Sequence, residues 1–162
     1  MKTNKYIVYV FLITVVLFCS ERKAYAQTIV ADFGEIENLQ LKEKRLVMVL
    51  IGTDWCKYCN SMKQAVLKDK SLGAVLKGNF YSVFLNAEEK ADIDFAGRRF
   101  KYKPTGSNTG VHELAQELGT INGQIAYPSV CFLNEKYEIV YQHPGYLNPA
   151  DLGLLLTRLS SN

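Results

Sequence analysis

Two closely spaced cysteines are the strongest sign of chemistry in this sequence of 162 residues. Cys56 and Cys59 are separated by only two residues. A disulfide between them would close too short a loop to stabilise a fold much, so the spacing favours thiol–disulfide exchange. A structural disulfide and half of a zinc site are the alternatives. The sequence offers no second CxxC to complete a zinc site, and His112 and His143 stand alone, so we predict a redox pair and no metal.

A strand followed by a helix is predicted to position the pair. Residues 46–51 are continuously apolar, which predicts a strand buried on both faces. Gly52 interrupts the run, and apolar residues at helical spacing begin at Met62. Cys56 therefore lies at a helix N-terminus, where unpaired N–H groups and the helix dipole favour a thiolate. We predict that Cys56 attacks a substrate disulfide. Cys59, one turn later, is expected to be less exposed and to resolve the mixed disulfide.

The neighbours of the two cysteines are predicted to tune their reactivity. Lys57 adds a positive charge, and Lys57 and Tyr58 together form the dipeptide that sets the redox potential. Trp55 precedes the first cysteine and is expected to shield the pair from water.

The remaining pattern predicts a single α/β domain in the order β-α-β, insertion, α-β-β-α. Helices are predicted from Asp32 to the charged run 42–45, from the cysteine pair onward, over 111–118, and from Asn148-Pro149 to Leu159. Further strands are predicted at 80–85, 129–133 and 138–141. Residues 88–110 are polar and glycine-rich, which suggests an insertion or lid-like loop with a small hairpin around Ala96-Gly97.

The first 26 residues have the pattern of a secretory signal peptide. Lys2 and Lys5 precede an apolar run of 12 residues, 7–18, which is shorter than the roughly 20 needed to span a bilayer. Residues 24–26, Ala-Tyr-Ala, supply the small side chains that signal peptidase requires. We predict cleavage after Ala26, with a domain over 27–162 exported to the periplasm or cell envelope.

Two alternatives would leave the protein at a membrane. One is an anchor formed by an uncleaved leader, and the other is a lipoprotein modified at Cys19. Phe18 stands where a lipid-modification signal needs a small residue, which favours cleavage after Ala26 over lipid modification at Cys19.

Removing the leader also changes the charge balance and the cysteine count. The whole chain has 19 basic and 16 acidic residues, and residues 1–26 hold four of the basic and one of the acidic ones, so 15 of each remain. A neutral domain has no basic excess to bind nucleic acid or an anionic membrane. Cys131 is then the odd thiol, and its place in an apolar strand predicts burial in the core.

The motif at residues 55–59, Trp-Cys-Lys-Tyr-Cys, and Tyr127-Pro128 before a later strand together resemble the thioredoxin superfamily. More narrowly, the sequence resembles exported bacterial thioredoxin-like thiol–disulfide interchange proteins. The resemblance implies a thioredoxin fold, in which helices flank a central mixed sheet. It also implies that Pro128 is cis beside the cysteines, and that Trp55, Tyr127, Pro128 and the loop at Gly145 bind substrate.

The same resemblance implies a protein-disulfide oxidoreductase of the cell envelope, acting more as a reductase or interchange protein than as an oxidase. Its redox centre would be the Cys56–Cys59 disulfide, with no dissociable cofactor. We expect a monomer whose partners are envelope proteins with disulfides or dithiols, and a redox partner that the sequence does not identify. The alternative is a binding module of the same fold with little redox turnover.

One position departs from the family pattern. Thioredoxins and disulfide isomerases usually bury an acid six residues before the first cysteine, where this chain has Leu50. Deprotonation of Cys59 would then depend on water or another carboxylate. Asp54 is the nearest carboxylate in the sequence and is expected to be exposed, so we expect slower exchange than in a housekeeping thioredoxin.

Overall fold

The computed structural model describes residues 30–161. Its helices are α1 (Phe33–Lys42), α2 (Lys57–Lys68), α3 (Lys70–Asn79), α4 (Glu113–Gly119) and α5 (Pro149–Ser160). Its strands are β1 (Leu46–Gly52), β2 (Phe80–Asn86), β3 (Ile93–Phe95), β4 (Arg98–Phe100), β5 (Tyr102–Pro104), β6 (Gly110–His112), β7 (Thr120–Ile121), β8 (Gln124–Ile125), β9 (Ser129–Leu133) and β10 (Ile139–Pro144).

A mixed four-stranded sheet in the order β10-β9-β1-β2 forms the centre of the domain. β1 runs parallel to β2, as predicted for a strand–helix–strand crossover, and antiparallel to β9. β9 and β10 form the predicted antiparallel pair. The fold class is therefore confirmed, with helices on both faces of the sheet.

β1 is buried on both faces because its side chains alternate between two apolar clusters. Val47, Val49 and Ile51 face the cluster that includes α1 and α4. Met48 and Leu50 face the cluster built with α2, α3 and α5. Each fully buried aliphatic side chain contributes about 1.5–3 kcal/mol, so β1 is firmly fixed in the middle of the fold.

Of the two predictions for residues 88–110, an insertion or a lid-like loop, the lid-like loop is wrong. The segment contains β3 and β4, joined by the predicted turn at Ala96 and Gly97, which both have positive φ. β5 and β6 form a second hairpin. Phe95 and Phe100 are buried, and the Phe95 ring packs against Phe33 at 4.9 Å between centroids. The segment forms part of the core because its few aromatic side chains point inward.

Three further boundaries differ from the prediction. The helix expected to start at residue 111 starts at Glu113, because residues 110–112 pair with β5 and His112 Nδ1 accepts the Leu114 N–H at 3.2 Å. A separate helix, α3, follows α2 because Asp69 caps it by accepting two backbone N–H groups. The second strand of the later hairpin extends to Pro144, three residues beyond the predicted end.

The short hairpin of β7 and β8 was not predicted either. Asn122 and Gly123 both have positive φ at its turn. The Asn-Gly dipeptide is the sequence signal that could have revealed it.

The predicted signal peptide, its cleavage site after Ala26 and the thiol of Cys19 lie outside the described residues. Within residues 30–161, no helix has the length and apolar character needed to cross a membrane.

Replacing Phe95 by Ala tests whether the segment at 88–110 belongs to the core. We expect a loss of about 3–5 kcal/mol in the free energy of unfolding, because a buried aromatic ring is removed. Arg99→Ala in the same hairpin is the control; it removes an exposed ion pair with Asp94 and should cost no more than about 1 kcal/mol. Urea unfolding measures both, and equal losses would contradict the inclusion of this segment in the core.

Candidate active site

Cys56 and Cys59 form a disulfide with an S–S distance of 2.05 Å at the start of α2. Cys56 takes the cap position of the helix, and its Sγ accepts the N–H of Cys59 at 3.1 Å. The predicted placement at a helix N-terminus is therefore confirmed. This hydrogen bond and the helix dipole both stabilise negative charge on Cys56.

The prediction that Cys59 is less exposed than Cys56 is not supported. The two residues are 6% and 7% exposed, so both are buried to the same degree. The disulfide holds both sulfurs at one strand–helix junction, where Thr53 O also accepts the Cys56 N–H at 3.2 Å.

Gly52 is a functional residue that the sequence analysis missed. A Cβ built on Gly52 would stand 2.7 Å from Cys59 Cβ and 2.8 Å from its Sγ. Only glycine lets the end of β1 approach the second cysteine this closely. Its position between a buried strand and the motif is the sequence signal for this contact, and the prediction of a strand end does not use it.

Two aromatic pairs connect the motif to the loops around it. Trp55 packs edge-on against Tyr127, with ring centroids 6.5 Å apart. Tyr58 packs against Tyr146 at 5.6 Å. Burial raises the pKa of Tyr127, and the charge of Glu88 adds to that shift. We call Trp55, Tyr58, Tyr127 and Tyr146 the aromatic rim.

Trp55 and Tyr58 present most of their surface to solvent, because they are 68% and 66% exposed. The expectation that Trp55 shields the disulfide from water stays a prediction. The Trp55 indole N–H donates to Glu88 Oε2 at 3.2 Å, which orients the ring. These exposed rings offer a partner an apolar surface beside the sulfurs. Lys57 is also exposed, on the first turn of α2.

The peptide bond between Tyr127 and Pro128 is cis, as the resemblance implied. Pro128 O accepts the N–H of Gly145 at 2.8 Å, so the loop at Gly145 is tied to the cis-proline loop. Gly145 has a φ of +91°, a conformation that favours glycine. Trp55, Tyr127, Pro128 and Gly145, the predicted substrate-binding residues, are thus linked by direct contacts.

A cavity of about 110 Å³, lined by both polar and apolar side chains, lies against Cys59. Leu50 and Phe84, paired across β1 and β2, supply apolar lining. Side chains with polar groups also line it, namely Thr53, Asp54, Asn60, Lys63 and Asn86. The cavity is therefore shared by the resolving cysteine and several polar side chains, of which Asp54 carries a carboxylate.

Asp54 is exposed, as predicted, and its carboxylate is held in place. Asn86 Nδ2 donates to Asp54 Oδ2 at 3.1 Å. The other end of the Asn86 amide, Oδ1, accepts the Glu88 N–H at 3.0 Å, which fixes the orientation of the amide. Asn86 stands opposite Gly52 in the parallel register, so the sheet places it beside the motif.

Cys131 is fully buried in β9, opposite Val49, which confirms its predicted place in the core. Burial raises the pKa of its thiol from the ordinary 9.0 to about 12. The thiol is thus kept neutral and out of contact with reagents in the folded protein.

No group of three or more His, Cys, Asp or Glu side chains within residues 30–161 is arranged to hold a metal ion. His112 is buried and caps α4, and His143 lies in β10 opposite Val130.

Gly52→Ala tests the close approach of β1 to Cys59. The added methyl group overlaps Cys59 Cβ and Sγ, so we expect the oxidised protein to lose about 1–3 kcal/mol of unfolding free energy. Gly78→Ala is the matched control, because a Cβ there meets nothing within 4 Å and alanine favours the helix. If urea unfolding finds the two variants equally stable, the contact does not constrain the site.

The buried thiol gives a pH prediction. The folded state holds the Cys131 proton more tightly than the unfolded state does, so this stabilisation is complete below the ordinary thiol pKa near 9.0. It is lost as pH rises from there through about 12. Alkylation of the oxidised native protein at about pH 9, followed by mass spectrometry, should leave Cys131 unmodified until the protein is unfolded. Prompt labelling of the native protein that is absent in Cys131→Ser would disprove the burial of this thiol.

Solved structures of other proteins share this fold. A thioredoxin-fold protein from Helicobacter pylori has a TM-score of 0.57 and 15% identity, with 85% of this chain and 77% of that chain covered. A disulphide isomerase from Xylella fastidiosa has a TM-score of 0.54 and 14% identity, with 86% and 93% covered. A thioredoxin from Thermus thermophilus has a TM-score of 0.53 and 22% identity, with 79% and 83% covered. At these identities the likeness establishes the fold.

Sequence comparisons point the same way. A curated relative, spermatogenesis-associated protein 20 of Rattus norvegicus, is 30% identical over 53 residues, which span 33% of this chain and only 7% of that protein. A family model described as a thioredoxin-like domain matches residues 33–159. A thioredoxin-like fold with a CxxC pair at disulfide distance supports thiol–disulfide oxidoreductase chemistry. The chain belongs to the thioredoxin-like domain family, within the thioredoxin superfamily.

Proposed function

We propose that this protein exchanges disulfides with protein substrates through Cys56 and Cys59. The observation that carries the proposal is the disulfide at the N-terminus of α2, with exposed aromatic rings beside it. A crosslink between residues three apart closes too short a loop to contribute much to stability, which favours a redox role over a structural one.

Cys56 is the nucleophile in this proposal. In the reduced protein its sulfur lies where the Cys59 N–H and the helix dipole stabilise a thiolate. The thiolate attacks one sulfur of a substrate disulfide and forms a mixed disulfide, releasing the other substrate sulfur. Cys59 then attacks Cys56, which releases the reduced substrate and restores the protein disulfide. Lys57 and Tyr58 set the potential of the pair.

The substrate is proposed to bind where the motif meets the two loops. Trp55 and Tyr127 form one wall through their ring contact, and the hydrogen bond from Gly145 to Pro128 fixes the loop that borders it. The backbone of Tyr127, just before the cis-proline, is proposed to hydrogen-bond an extended substrate segment. The centre needs no dissociable cofactor, because the dithiol itself carries the two electrons.

The proposed setting is the cell envelope, and the proposed direction is reduction or interchange. The signal-peptide pattern in residues 1–26 supports export, and the neutral balance after its removal supports protein partners over nucleic acid. The substrates would be envelope proteins with disulfides or dithiols, met by a monomer that a separate redox partner restores. A redox potential near −270 mV would support a reductase, whereas one near −120 mV would indicate an oxidant.

A binding module is the second candidate, because the exposed aromatic rim would also hold a peptide without exchange. In that case the rim would bind envelope peptides and the disulfide would turn over rarely.

Insulin reduction with dithiothreitol separates the two functions. We expect Cys56→Ser to lose nearly all activity, because the attacking thiolate is gone. Cys59→Ser should accumulate a mixed disulfide with substrate, since the resolving step is lost. Activity that persists unchanged in Cys56→Ser, with peptide binding intact, would leave the binding module as the function.

A further inference from the structure

The cavity beside Cys59 has the properties of a proton route. One water needs roughly 10–15 Å³ of accessible space, so a volume of about 110 Å³ has room for several. Asp54, Asn60, Lys63 and Asn86 line the cavity with side chains that can hydrogen-bond to water.

The strands that line the cavity supply no acid or base. Leu50 on β1 and Phe84 on β2 are register partners, and both are apolar. The Lys63 ammonium lies 5.0 Å from the centre of the Phe84 ring, which places a cation at the wall of the cavity. Among residues 30–161, Asp54 is the only acidic residue that lines the cavity, and it stands four residues beyond Leu50.

The carboxylate of Asp54 is fixed from the opposite strand. The hydrogen bond from Asn86 Nδ2 holds Oδ2, and the Glu88 N–H holds the far end of the Asn86 amide. The backbone is also fixed, because Asn60 Nδ2 donates to Asp54 O at 3.1 Å. One hydrogen bond to the side chain and one to the backbone therefore fix the position of the Asp54 carboxylate, although the residue is exposed.

We propose that Asp54 accepts the proton of Cys59 through cavity water, and that Asn86 is the residue that positions it. The proposal rests on the proposed function and specifies how its resolving step is driven. Asp54 thereby takes the part of the buried strand acid that this chain lacks at Leu50.

The step balances in protons and electrons. In the mixed disulfide, Cys56 is bonded to a substrate sulfur and Cys59 is a thiol. A cavity water carries the Cys59 proton to Asp54, and the resulting thiolate bonds to Cys56 Sγ while the Cys56–substrate bond breaks. The electron pair of that bond leaves with the substrate sulfur, which takes a proton from solvent. The protein dithiol is oxidised by two electrons, the substrate disulfide is reduced by two, and Asp54 returns its proton to solvent.

The charged groups near Asp54 have separate roles. Lys63, from α2, lines the same cavity as Asp54. Lys57 lies on the first turn of α2, and Glu88 follows β2, where its carboxylate is bonded to the Trp55 indole. Glu88 is thus a second acid near the disulfide, held toward the aromatic rim and absent from the cavity lining.

Reaction of the reduced protein with 5,5′-dithiobis(2-nitrobenzoate) follows the two steps separately by the release of thionitrobenzoate. The first phase is attack by Cys56, and the second is resolution by Cys59. All variants carry Cys19→Ser, so that this thiol adds no signal. We expect Asp54→Asn to leave the first phase unchanged and to slow the second about tenfold to a hundredfold at about pH 7. The second phase should then rise in proportion to hydroxide, because solvent must remove the proton.

Three further variants make the result specific. Asp92→Asn, which removes one exposed negative charge away from the cavity lining and the aromatic rim, should leave the second phase within about twofold of the parent. Asp54→Glu should recover part of the rate, and Asn86→Ala should slow the second phase less than Asp54→Asn does. A second phase that is unchanged or faster in Asp54→Asn, or equally slowed in Asp92→Asn, would overturn the proposal.

This outcome is independent of the proposed function. Insulin reduction by the parent protein tests whether the pair acts on protein disulfides at all, and the two-phase reaction with the small reagent needs no protein substrate. A parent that resolves the reagent quickly but leaves insulin intact would contradict the proposed function and leave the role of Asp54 standing.

Discussion

The contact between the end of β1 and the first turn of α2 is the constraint on which the site depends. Cys59 fits against residue 52 only because that residue has no side chain. A contact this tight requires both elements to be rigid, and the rest of the fold provides that rigidity. β1 is packed on both faces. Met62 and Val66 hold α2 against the face that carries Met48 and Leu50. The large core of this small domain thus serves the placement of two sulfur atoms.

The disulfide has two differently built surroundings. Exposed aromatic rings and two loops tied by a backbone hydrogen bond lie on the side of Trp55 and Tyr127. A small cavity lies on the side of Asp54 and Asn86. Glu88 contacts both surroundings: its backbone N–H donates to Asn86, and its carboxylate accepts from the Trp55 indole. In the proposed reaction, this division places substrate contact and proton movement on separate sides of the disulfide.

Much of this arrangement could be predicted from the sequence because it is local. The apolar run at 46–51 and the spacing of the cysteines each occupy a few consecutive residues, and both gave the right strand and the right helix end. The cis peptide before Pro128 followed from the resemblance to a known superfamily. The segment at 88–110 was misjudged because charged residues at its turns and edges hide two inward-facing phenylalanines.

Other features depend on register and packing, which a single sequence does not display. Asn86 reaches Asp54 only because parallel pairing sets it opposite Gly52. The equal burial of the two cysteines likewise follows from their crosslink at one junction, where helix periodicity alone had suggested different depths.

The burial of Cys131 has a consequence for the accuracy of oxidation. Three thiols in residues 30–161 allow three possible pairings, and two of these include Cys131. Its thiol is fully buried and stays protonated to about pH 12, so it is neither reachable nor nucleophilic in the folded chain. Oxidation of the folded residues 30–161 therefore has one intramolecular product, the Cys56–Cys59 disulfide, and no wrongly paired form arises that would have to be removed.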